Sequence, residues 1–326
     1  MSHPLNKTKI LTFILVAFIT NQSWGQQETS ITNYWSHMNL FNPAYVGSDN
    51  MINFKSTIRN QWSGISESPV TQMFSYSKPF GDKVGLGLSV VNDKVFVENS
   101  TYVGIDFSYK LTVSDNMLLY FGLKAAANFY SVNAQSIYTI GAGGVNTFDN
   151  SLFNIDQFDP NIGLGFLLKR EKWFLSLSVP RMLSTERAST VDNGIGISTT
   201  VGTSKPHLYV SSGYEFNLKN PKWSLSPSFL LRSVKDVPVA FDSNLLVSYN
   251  DKLDLSFTYG NSKTYAITFG LDFADKYRIG YSYETSSRSL LSTEWNSSEL
   301  FLAYSTPYVN KRNIKQTTVD DIIIEE

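Results

Sequence analysis

The chain has no cysteine, so it holds no disulfide framework and offers neither a thiolate nucleophile nor a thiolate metal site. Charge is scarce as well. With 27 basic and 28 acidic residues the net charge is −1, and without a basic block nucleic acid is a poor partner. Beyond the first residues no run of 18 or more apolar residues occurs, which excludes membrane-spanning helices. Past the N-terminal leader only His37 and His207 remain, and no glycine-rich phosphate loop is present. "NTFDNSLFNIDQFDPN" (146–161) gathers Asp149, Asp156 and Asp159 but lacks the rhythm of a calcium loop, so it reads as a solvated surface loop. The sequence points to no enzyme, no metal and no cofactor.

What is present is an export signal and a great many aromatic residues. Lys7 and Lys9 form a positive n-region, and Ile10 to Thr20 form an apolar stretch too short to span a bilayer. Ser23 and Gly25 then suit a cleavage site, so residues 1–25 read as a signal peptide and Gln26 as the first mature residue. Aromatics make up 14% of the chain and charged residues only 17%. That balance fits either a soluble exported β-protein or an outer-membrane β-barrel.

Period-2 alternation separates the two. Val84, Leu86, Leu88 and Val90 alternate with Gly85, Gly87 and Ser89; Val103, Ile105, Phe107, Tyr109 and Leu111 alternate with Gly104, Asp106, Ser108 and Lys110. The same pattern runs through 173–179, 253–259, 265–273 and 277–284, and none of it has a helical period. The apolar register is almost free of charge. Lys55, Arg59, Asp106, Lys110, Lys124, Glu215, Arg232, Asp242, Asp254 and Glu299 all fall in the other one. That is the pattern of a lipid face and a lumen, since Lys or Arg facing lipid at the midplane costs roughly 2–4 kcal/mol. Segments of about 9–11 residues suit tilted transmembrane strands. Aromatic residues at many strand ends suit interfacial girdles.

The fold expected is therefore an all-β transmembrane outer-membrane β-barrel over residues 49–305, with about 14 antiparallel strands. They should start near 50, 70, 83, 101, 117, 160, 172, 206, 223, 239, 252, 264, 276 and 297. Short turns after alternate strands mark one rim and longer connections, notably 131–159 and 180–204, the other. An even strand number leaves both termini on the periplasmic side. Ahead of the barrel, residues 26–48 read as a short amphipathic helix and a turn. Ser30 would cap the helix, and Ile31, Tyr34, Trp35 and Met38 would form its apolar stripe against the periplasmic mouth of the barrel. Pro43 forces Asn42 out of the helical region, and Gly47 gives a permissive backbone for the turn into the first strand.

At these residues the chain resembles the PorP/SprF family of type IX secretion system membrane proteins. "NLFNPAYVGS" (39–48) carries the resemblance through Asn42, Pro43, Ala44, Tyr45 and Gly47. "RNQWSGI" (59–65) adds Arg59, Gln61 and Trp62, and Pro69 follows after Ser68. "GLGLSV" (85–90), "PNIGLGFLL" (160–168), "FLSLSVPRML" (174–183) and "RIGYSYE" (278–284) extend it over nearly the whole mature chain. One departure is Ser298-Glu299, where the family often has His-Glu.

The resemblance implies an outer-membrane component of the Bacteroidetes secretion and gliding-motility apparatus. Such proteins support export or surface attachment of large adhesin-like cargo through other secretion subunits and a cargo C-terminal domain. A diffusion porin or small-molecule transporter is the alternative, since barrels of this size can enclose a channel. Residues 306–326 read as a periplasmic tail. There Ile322, Ile323 and Ile324, among carboxylates, could add a strand to a partner's sheet, as the stripe Ile31–Met38 could also meet a partner.

Overall fold

The computed structural model describes residues 31–64, 67–133, 138–140, 146–148, 154–192, 197–287 and 296–309. Where apolar and polar residues alternate, the chain forms strands: β1 (Met51–Asn60), β2 (Val70–Phe80), β3 (Val84–Val95), β4 (Glu98–Ser114) and β5 (Met117–Val132). A small hairpin, β6 (Tyr138–Ile140) and β7 (Asn146–Phe148), precedes β8 (Ile155–Arg170) and β9 (Trp173–Val179). A second hairpin, β10 (Thr185–Asp192) and β11 (Ile197–Ser204), precedes β12 (His207–Tyr214) and the two-residue β13 (Phe216–Asn217). The wall then continues through β14 (Trp223–Val234), β15 (Val237–Tyr249), β16 (Leu253–Gly260), β17 (Thr264–Phe273), β18 (Tyr277–Ser286) and β19 (Ser297–Pro307).

Neighbouring strands pair antiparallel, β12 pairs with both β9 and β14, and β1 pairs with β19 from Met51↔Pro307 to Asn60↔Ser298. With the hairpins and β13 set aside, this is a closed barrel of 14 strands. Closure leaves no open sheet edge, as a wall in hydrocarbon requires.

Exposure is inverted relative to a soluble protein. Ile105 is 62% exposed and Ile267 57%, whereas the adjacent Asp106 and Thr268 are buried. The apolar register thus faces outward and the polar register inward, where Lys55, Arg59, Asp106, Lys124, Arg232, Asp242, Asp254 and Glu299 all lie. Glu215 is the exception: it falls in the exposed link between β12 and β13. Aromatic contacts band the short-turn rim, running Phe273–Tyr277–Tyr304–Phe54–Tyr76 at centroid distances of 4.7–6.2 Å. Trp223 meets Tyr249 in the same band, and Tyr259–Tyr265 marks the opposite interface.

Strand length is less uniform than the sequence suggests. β9 has 7 residues and β4 has 17. The latter spans on the order of 40 Å along the axis, against an apolar band of about 25 Å. One side of the wall, β4, β5 and β8, therefore stands beyond the hydrocarbon at the long-loop rim. At the other rim Asn250-Asp251 and Ala274-Asp275 each place two consecutive residues at positive φ, as tight type I′ turns demand.

The inverted wall predicts opposite outcomes for arginine on its two faces. Ile267→Arg should cost about 2–4 kcal/mol and deplete the heat-modifiable folded form in outer membranes. Ser226→Arg, at a half-buried lumen position, should leave the folded form near the wild-type amount. Equal yields would reject the facing of the strands.

Candidate functional site

Residues 31–48 thread the lumen. They form three tight turns: a 3-10 turn at Tyr34–His37, a single α-turn at Met38–Phe41 and a 3-10 turn at Pro43–Tyr45. The amphipathic helix expected from the stripe is thus only partly formed, and the cause is competition for its carbonyls. Lys55 donates to Ser36 O at 2.8 Å, Lys124 to Asn39 O at 3.3 Å and Ser178 to Phe41 O at 2.7 Å. Further along, Ser108 donates to Val46 O at 2.6 Å and Lys169 to Ser48 O at 3.1 Å. Wall donors take the acceptors that a longer helix would keep for itself.

Asn42 breaks the run as its sequence position requires. Its backbone is extended (φ −143, ψ 114) ahead of Pro43, and its side-chain oxygen accepts the Ala44 N–H at 2.8 Å. The side-chain amide donates to Phe166 O at 2.9 Å and Ser176 Oγ at 2.8 Å, so one buried residue shapes the turn and ties it to β8 and β9. Gly47, at φ +70, supplies the left-handed step towards β1.

The segment runs the length of the lumen rather than sitting at the periplasmic mouth. Near the long-loop rim the backbone N–H groups of Thr32 and Asn33 donate to the Glu299 carboxylate at 2.7 and 3.1 Å. Arg59 bridges Glu299 (2.6 Å) and Glu284 (2.9 Å) and also donates to Thr32 Oγ1. Midway, His37 lies between the Thr57 and Ser75 hydroxyls at 2.7 and 3.1 Å, and Lys124 pairs with Asp106 at 2.8 Å. At the short-turn rim Tyr120 joins Lys169 on Ser48 O.

The stripe residues Ile31, Tyr34, Trp35 and Met38 pack with Phe41 against Tyr209 and Leu230, an apolar patch on the inner wall. Tyr34 Oη also contacts Ser228 Oγ at 3.1 Å. Lower down, Ala44 packs with Tyr120 and Leu167, and Tyr45 meets Phe174 edge to face at 6.1 Å.

Glycines make the room. A Cβ on Gly85 would lie 2.0 Å from Val46 O, one on Gly122 2.2 Å from Ala44 N, and one on Gly165 1.9 Å from Asn42 Oδ1. These inward glycines of β3, β5 and β8 form a groove into which the Asn-Pro-Ala backbone fits.

Of the remaining motif residues, Gln61 donates its N–H to Pro69 O at 2.9 Å, which ties the two ends of the β1–β2 loop together. Trp62 sits in that loop at φ +57, and Pro69 is buried. Ile322, Ile323 and Ile324 lie outside the described residues, as does Asp149; Asp156 and Asp159 fall on opposite faces of β8. The sequence placed Glu299 in the lumen register but carried no sign of its clamp with Glu284 or of the seat formed by Ser108, Ser176 and Ser178.

The groove makes a graded prediction. Gly122→Ala should unseat the plug and speed amide exchange across Ala44–Val46 at least 100-fold in the folded barrel. Gly270→Ala, whose Cβ would meet nothing nearer than 3.3 Å, should leave that exchange unchanged.

No curated protein matches this chain in sequence. Among solved structures it is similar to the Pseudomonas putida toluene transporter TodX (11% identity, covering 83% of this chain and 94% of that one, TM-score 0.47). It is also similar to a Pseudomonas aeruginosa FadL homologue (10%, 87% and 99%, 0.48) and to the Acinetobacter baumannii outer membrane protein Omp33 (8%, 78% and 98%, 0.46). Likeness this low does not transfer their cargoes to this chain. The family model for the type IX secretion system membrane protein PorP/SprF, in contrast, matches residues 23–304, plug and nearly all of the wall together, and the chain belongs to that family.

Proposed function

We propose that this protein serves type IX secretion, and the gliding motility linked to it, as a plugged outer-membrane barrel that works through protein contacts rather than by diffusion. Its partners on this reading are other secretion subunits and the C-terminal domain of a large adhesin-like cargo, held for export or attached at the surface of a Bacteroidetes cell. The short-turn rim and the isoleucine-rich tail face the periplasm, and the long-loop rim faces outward.

The observation that carries the reading is the occupied lumen. Residues 31–48 are hydrogen-bonded to β1, β2, β4, β5, β8, β9, β14, β18 and β19, so the plug lies across the path that a solute would take. A diffusion porin gains nothing from a plug tied to its wall by so many hydrogen bonds, whereas a docking platform loses nothing by being sealed.

Two measurements test this. In planar bilayers the intact protein should pass little current, and deletion of residues 31–41 should raise conductance at least severalfold. An intact protein that conducts like an open porin would return the alternative to first place. Truncation after Pro307 should leave a folded barrel but lower cargo display on intact cells. Undiminished display would remove the tail from the docking role.

A further inference from the structure

Between the turn at Tyr34–His37 and the short-turn rim the plug leaves a cavity of about 240 Å³ against β1, β18 and β19. Trp35, His37, Lys55, Arg278, Phe301 and Ala303 line it. Its chemistry is one-sided. Lys55 has three N–H donors, and the one bond it makes among the described residues is to Ser36 O. No carboxylate of those residues lies within 4 Å of its ammonium. The indole N–H of Trp35 is buried with no hydrogen-bond partner among them.

The acceptors nearby are already engaged. Asp254 and Asp272 hold Arg278, the first at 3.1 Å, and Asp254 also accepts from Ser248. Asp49 accepts from Met51 N and the Asn53 amide. Both His37 ring nitrogens are occupied by hydroxyls. A buried ammonium with no carboxylate in contact and a buried N–H without an acceptor each cost free energy, and both groups line this cavity, where a ligand carboxylate offers acceptor oxygens. Phe301 and the Trp35 ring, 6.4 Å apart and edge to face, supply an apolar wall beside those donors.

We infer that this cavity is a binding site for a carboxylate carried on an apolar body of about one amino-acid residue, entering from the short-turn rim. Lys55 pairs with the carboxylate, the Trp35 N–H donates to its second oxygen, and Phe301 receives the apolar part. Two sources share this chemistry: a free small acid, and the protein's own acidic tail. Because β19 ends at that rim with Pro307, the 17 residues beyond Val309 could reach roughly 55 Å, far enough to return to the cavity.

The site rests on the plugged lumen but not on a role in secretion, and purified barrel in detergent suffices to test it. Calorimetric titration should show saturable binding of N-acetyl-leucine and at least tenfold weaker binding of N-acetyl-leucinamide, which has the same body without the charge. Lys55→Gln should weaken the acid at least tenfold. Trp35→Phe, which keeps a ring and removes only the N–H, should weaken it severalfold with the heat-modifiable fold intact.

Truncation after Pro307 separates the sources. Binding that tightens tenfold or more assigns the cavity to the tail in the intact chain, and unchanged binding assigns it to an external acid. Equal affinity for acid and amide, or no binding by either the intact or the truncated barrel, overturns the inference.

Discussion

A ring of fourteen strands encloses more space than inward side chains can fill, and everything else in this structure answers that constraint. The wall is fixed by its own ladder and by lipid, so it cannot collapse inward. Eighteen residues of backbone occupy the space instead, and backbone brings polar groups that must be bonded wherever water is excluded. The inner wall is accordingly a lattice of short donors. Ser108 and Ser178, with Lys55, Lys124 and Lys169 reaching from further away, each take a carbonyl of the plug. Glycine provides proximity and serine provides bonding, and the two alternate with lipid-facing residues along the same strands.

That division of labour explains what could be read from the sequence. Outward residues answer only to hydrocarbon, so their alternation appears without knowledge of any partner. All fourteen expected strand starts lie within about five residues of the observed ones. The largest departures are β4 and β8, which begin at Glu98 and Ile155 rather than near 101 and 160. There the strands extend past the lipid, where pairing with a neighbour continues the ladder and no apolar face is needed to mark it.

The inward register is less legible because its meaning depends on what it touches. Gly122 and Gly165 read alone as weak points in a strand, and only the Asn-Pro-Ala backbone against them shows why a side chain is excluded. The stripe Ile31, Tyr34, Trp35 and Met38 does mark a face that needs cover, and it finds that cover on Tyr209 and Leu230. The helix is shorter than its spacing suggests for the same reason. Helical spacing says nothing of a competitor for the carbonyls, and the competitor here is the wall. Glu299 is similar, since an acidic residue in a lumen register gives no hint of the two backbone N–H groups it will hold.

The clamp at the long-loop rim also sets an order of events. Arg59 and Glu299 are direct partners across the seam where the first strand meets the last, and 240 residues separate them along the chain. Neither can hold Thr32 in this way until the two ends of the wall have come together. A half-built sheet therefore has no complete socket for the start of the plug, and the joint that finishes the cylinder is also the one that fastens its stopper. Fastening of the plug's first residues is thereby tied to closure of the wall, while its Asn-Pro-Ala turn rests on strands far from that seam.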